Sequence, residues 1–127
     1  MRAKHFDRSG IVTDFVNYCA KQLNLPKIPK LSLISDPTFS HTNKTFGQYV
    51  PDTDHTTVNI NNRNLVDVLR TIAHELVHAA QDQGTIDAAH NTGLPGEDIE
   101  NVANAVGGKL VRDYTQSHGK YFRMTAE

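Results

Sequence analysis

The chain has 127 residues, 38% hydrophobic and 21% charged, a composition that fits one soluble globular domain with a single modest core. A formal net charge of −1 gives no support to a polyanion partner such as DNA, and the lone cysteine, Cys19, excludes both an intrachain disulfide and a cysteine-built zinc site. No run is apolar enough to cross a bilayer and Met1–Phe6 is not followed by an apolar signal region, so no membrane partner and a cytoplasmic location are expected.

In chain order, Ile11, Val12, Phe15, Val16, Tyr18, Cys19 and Leu23 recur at helical spacing, with Ser9 as a candidate cap. Pro26 and Pro29 are expected to stop this helix, and Cys19 reads as a core residue rather than a nucleophile. Leu31–Ile34 reads as a short strand followed by the turn residues Ser35-Asp36-Pro37. Residues 45–50 and 56–60 read as two further strands, and the turn-rich link Pro51–Asp54 favours an antiparallel hairpin.

From Leu65 the apolar positions Val66, Val68, Leu69, Ile72, Ala73, Leu76, Val77, Ala79 and Ala80 cover much of a helical circumference, so this helix is expected to be largely buried. Asn61, Asn62 and Asn64 offer caps for its start and Gly84 a stop. Residues 85–96 read as a loop. A last long helix follows from about Glu97, with Ile99, Val102, Ala103, Val106, Leu110, Val111 and Tyr114 as its apolar positions. Gly107-Gly108 within it is expected to serve close helix approach. The fold class is α+β: an N-terminal helix, a small, mainly antiparallel three-stranded sheet and two further helices, all in one domain spanning 1–127.

The chemistry lies in His74-Glu75-Leu76-Val77-His78. Histidines four apart on a helix share a face and can aim their rings at one point, while Glu75, about 100° further round, can reach a water on a metal without binding the metal itself. Buried histidine and glutamate cost free energy unless paired or metal-bound. His74 and His78 are therefore candidate zinc ligands and Glu75 a candidate general base.

Catalytic zinc takes three protein ligands and leaves one position open. Glu100, on the helix after the loop, is the strongest candidate for the third, with Asn104 one turn on as a possible partner for the outer nitrogen of a ligand histidine. His118, Glu97 and His90 are the other candidates. The pentapeptide followed by Gly96-Glu97-Asp98-Ile99-Glu100-Asn101-Val102-Ala103-Asn104 resembles the gluzincin branch of the zincin-like zinc metallopeptidases, over roughly residues 45–114. The family carries aspartate where this chain has Asn104. The resemblance implies Zn2+ held by His74, His78 and Glu100, and hydrolysis of a peptide or protein substrate with Glu75 as base. An edge strand, either 45–50 or 56–60, would align that substrate, and His90, Tyr114 or His118 would supply a second oxyanion donor. His118-Gly119-Lys120-Tyr121-Phe122 more weakly resembles the third-ligand segment of SprT-like proteases, which act on DNA-linked proteins. A non-catalytic metal-binding interaction module on the same scaffold is the remaining expectation.

Overall fold

A computed structural model describes residues 10–39, 45–85 and 97–118, with side chains in the last segment from residue 99 onward. Among the described residues the order is α1 (Ile11–Gln22), β1 (Lys30–Ile34), β2 (Gly47–Val50), a 3-10 turn (Pro51–Thr53), β3 (His55–Asn59), α2 (Leu65–Gln83) and α3 (Glu97–Ser117). No helix among them is long and apolar enough to cross a membrane.

The sheet order is β1-β3-β2. β2 and β3 form the expected antiparallel hairpin, with Gly47 opposite Val58 and Val50 opposite His55. β1 pairs parallel to β3, so the sheet is mixed, with one junction of each kind. The chain leaves β1, passes to the far side of the position that β3 takes, and then fills the centre by the hairpin. Among the described residues that path makes β2 an edge and β3 the central strand, so of the two candidate segments it is 45–50 that lies at an edge. Thr56 and Val58 of β3 are fully buried, as a two-residue period requires of the face turned to the helices.

Helix ends are set by local chemistry. α1 is preceded by Gly10 at φ 76 without a side-chain cap, and Ser9 lies outside the described residues. It stops before either proline. Asn24 takes the left-handed conformation, with its N–H on Lys21 O (3.2 Å) and that of Leu25 on Ala20 O (2.9 Å), which satisfies the last carbonyls. α2 uses Asn64, among the three asparagines, as its cap: the side-chain oxygen accepts from the Asp67 N–H at 2.9 Å. Gly84, at φ 77, ends α2 by the same left-handed device.

α2 is the hub of the molecule. It packs against β2, β3, α1 and α3 and buries Val68, Leu69, Ile72, Ala73, Leu76 and Val77. Cys19 is fully buried in α1, and loss of solvent pushes its thiol pKa well up, which fits a core residue. α3 closes on α1 through Tyr114, whose ring meets Phe15 edge-on at 4.9 Å and whose hydroxyl donates to Asp14 at 2.6 Å. α3 meets α2 through small residues. Ala103 is fully buried, and a Cβ placed on Gly107 would lie 3.2 Å from the His74 nitrogen and 3.3 Å from its Cα. Gly107 thus serves the close approach expected of the glycine pair, whereas a Cβ on Gly108 would meet nothing within 4 Å.

Candidate metal centre

His74 and His78 stand one turn apart on α2, and Glu100 enters from the first turn of α3, three residues after its start. Glu100, Ala103 and Gly107 are spaced at three and four residues, so they share the face of α3 laid against α2. The close backbone approach at Gly107 is what brings the Glu100 carboxylate within reach of the histidines. His74 Nε2 lies 3.0 Å from Glu100 Oε1, His78 Nε2 lies 3.2 Å from Glu100 Oε2, and the two Nε2 atoms are 3.1 Å apart. These three residues form the metal-competent group among the described residues, one donor atom from each within 4.8 Å of the others.

The donor set fits zinc. Bonds of about 2.0–2.1 Å in a tetrahedron place neighbouring ligand atoms roughly 3.3 Å apart, close to the 3.1 Å between the two histidine Nε2 atoms, each of which also has its own Glu100 oxygen within 3.2 Å. Two imidazole nitrogens and a carboxylate directed at one another repel unless a proton or cation lies between them. Two imidazoles and one carboxylate also match zinc in ligand hardness. The Glu100 side chain is 58% exposed against 22% and 17% for His74 and His78, so it is the most solvent-accessible of the three.

Glu75 sits beside this group and is only 6% exposed. Burial raises its pKa to about 7, with His78 opposing the shift, Glu100 adding to it, and a hydrogen bond from the Tyr49 backbone N–H opposing it again. A cleft of ≈ 720 Å³ opens over the group, lined among others by Gly47, Gln48, Tyr49, His74, Glu75 and His78.

The sequence expectations meet the structure unevenly. His74, His78 and Glu100 come together, with Glu75 adjacent. His118 does not join them. Its Nδ1 donates to Tyr114 O at 2.9 Å, its ring stacks on Tyr114 at 4.0 Å between centroids, and its Nε2 faces Asp14 of α1 at 3.7 Å. It follows the last residue of α3, Ser117, about five turns beyond Glu100. Tyr114, committed to Asp14, is likewise no oxyanion donor. His90 and the Glu97 side chain lie outside the description. Asn104 is exposed and makes no hydrogen bond to His74 or His78 among the described residues. The outer nitrogen of His78 is met instead by Gln81 Oε1 at 2.8 Å.

Gln81 is not a site residue by the sequence reading, and Gly47 and Tyr49 enter it only within the candidate edge strand 45–50. Gln81 carried a usable signal, because three residues beyond His78 is the neighbouring position on the same helix face. The contacts of Gly47 and Tyr49 with Glu75 carry no sequence signal, since only the packing of β2 beside α2 creates them. A Cβ on Gly47 would lie 2.6 Å from the Thr71 methyl and 3.1 Å from Glu75 Cγ. Thr71 cannot swing away freely, because its hydroxyl is bonded to Arg63 (2.6 Å) and to Asp67 O (3.2 Å). Gly47→Ala is therefore expected to destabilise the fold by about 1–3 kcal/mol and to displace Glu75. Urea denaturation and a hydrolysis assay at equal zinc content check both parts.

No protein-family model, no curated protein and no solved structure matches this chain. What the structure itself offers is the grouping of His74, His78 and Glu100, residues able to hold a metal ion.

Proposed function

We propose that this chain is a zinc-dependent peptidase of the gluzincin type, using His74, His78 and Glu100 as ligands and Glu75 as general base. The observation that carries this reading is the convergence of His74, His78 and the Glu100 carboxylate, one donor atom from each within 4.8 Å of the others, beside the buried Glu75 carboxyl. Zinc held there supplies Lewis acidity, which lets a water lose its proton near neutral pH and polarises a carbonyl oxygen. Glu75 takes the proton from the attacking water and returns it to the leaving amine. The Tyr49 N–H holds the Glu75 carboxylate in place through this transfer.

The substrate is a peptide or flexible protein segment. β2 is an edge strand on the rim of the cleft, where an extended chain can pair by strand addition. Along an edge, every second residue turns its backbone groups outward. At Gly47 the Thr45 hydroxyl already meets them, accepting from the N–H at 3.3 Å and donating to the carbonyl at 3.0 Å. An aligned peptide takes over those bonds from Thr45.

The test is elemental analysis together with hydrolysis of an unstructured protein such as casein. One zinc per chain is expected, with hydrolysis lost on chelation and restored by zinc. Stoichiometric zinc without cleavage of any unstructured protein or peptide would favour a metal-binding interaction module instead.

A further inference from the structure

We propose that Gln81 is a positioning residue with two tasks: it fixes the ring form of His78, and it straps the third-ligand helix to the motif helix. This rests on the metal-centre reading above. Gln81 Nε2 lies 3.1 Å from the Ile99 carbonyl oxygen, and Gln81 Oε1 lies 2.8 Å from His78 Nδ1.

The orientation of the amide follows from its partners. A carbonyl oxygen can only accept, so the NH2 end of Gln81 must face Ile99. The oxygen end then faces His78, and an amide oxygen also only accepts, so His78 Nδ1 must carry the proton. A neutral His78 in that form has a bare lone pair on Nε2. That is the atom 3.1 Å from His74 Nε2 and 3.2 Å from Glu100 Oε2. One amide thus sets the imidazole in the form a metal needs before any ion arrives.

The second task concerns Glu100. Ile99 is its neighbour in the first turn of α3, so the bond to Gln81 ties that turn to α2. The close contact at Gly107 lies eight residues further along, about 12 Å by the helical rise. Ala103, fully buried, packs four residues beyond Ile99, so the bond from Gln81 adds a polar tie ahead of the apolar contacts that hold the rest of α3. Among the described residues the polar partners of Glu100 are the two histidines themselves. The strap from Gln81 therefore fixes where the carboxylate stands.

Two variants separate the tasks. Gln81→Met keeps the length and the helix preference but makes neither bond. Gln81→Glu keeps an oxygen for His78 Nδ1 and sets another against the Ile99 carbonyl, so it preserves the ring form and loses the strap. Nitrogen-15 imidazole spectra of the metal-free chain, at a pH where His78 is neutral, report the ring form. Competition with a chromophoric chelator reports zinc affinity. In the wild type His78 is expected in the Nδ1–H form, and Gln81→Met is expected to show a mixture and to bind zinc about 10–100-fold more weakly. Gln81→Glu is expected to keep the Nδ1–H form with an intermediate affinity. A wild-type His78 protonated on Nε2, or a Gln81→Met chain binding zinc within about twofold of wild type, overturns the proposal. Should Gln81→Met not fold, loss of the Nδ1–H form in Gln81→Glu overturns it equally. A wild type that takes up no zinc instead brings down the metal-centre reading, while the metal-free spectra still report the amide's effect on His78.

Discussion

Glu75→Gln is expected to reduce peptide hydrolysis by about 10²–10⁴-fold while zinc stays stoichiometric. The amide matches the carboxyl in size and keeps an oxygen for the Tyr49 N–H, but it cannot accept a proton from water. The proposed ligands His74, His78 and Glu100 are untouched, so metal uptake is expected to persist. Loss of metal in this variant would assign Glu75 a ligand role rather than a base role. The same substitution carries a stability signature in the metal-free chain. The Glu75 carboxyl is raised from an ordinary 4.5 to about 7 by burial. Between those values the folded state binds more protons than the unfolded state, so this group's contribution to stability falls as pH rises through the window. Above about pH 7 the wild type bears the whole cost of a buried carboxylate, up to about 3 kcal/mol. Metal-free Glu75→Gln should therefore be more stable than metal-free wild type at about pH 8, with the difference vanishing toward pH 4.5. Urea denaturation at the two ends of that range checks the sign.

Glu100→Ala is expected to weaken zinc binding well beyond the ~10–100-fold typical of losing a residue that only supports a ligand. Two imidazoles alone cannot complete the three-ligand set that catalytic zinc uses. His118→Ala should leave zinc affinity unchanged, because that ring lies against Tyr114 and Asp14 at the far end of α3. Its effect should appear instead as a modest loss of stability where α3 meets α1. The reverse pattern, with zinc lost on His118→Ala and kept on Glu100→Ala, would return the third-ligand assignment to the SprT-like alternative.

Whatever depends on short-range periodicity could be read before the fold was known. His74 and His78 need only a helix to share a face, and the apolar positions of α2 specify that helix and its burial. Asn64 and Gly84 mark its ends by chemistry that acts within one turn. Glu100 was legible because it opens a second amphipathic helix. The small residues Ala103 and Gly107 further along that helix show, once it is packed, how its carboxylate comes so near. Asn104 misled because spacing along a helix says nothing of the angle at which two helices cross. With Gly107 seated on His74, Asn104 faces solvent, and the supporting contact passes to Gln81 on α2 itself. The parallel pairing of β1 with β3 was also hidden, since strand order depends on contacts between segments more than twenty residues apart. Tyr49 became part of the site for the same reason: its N–H meets Glu75 only once β2 lies beside α2.

The most direct measurement is the structure of the purified, metal-sufficient protein with anomalous data collected at the zinc absorption edge. One zinc is expected per chain, with His74 Nε2 and His78 Nε2 at about 2.0–2.1 Å and a Glu100 oxygen at about 2.0–2.2 Å. A metal-sufficient preparation without zinc, or a zinc whose bonding shell excludes Glu100, would contradict the proposed centre.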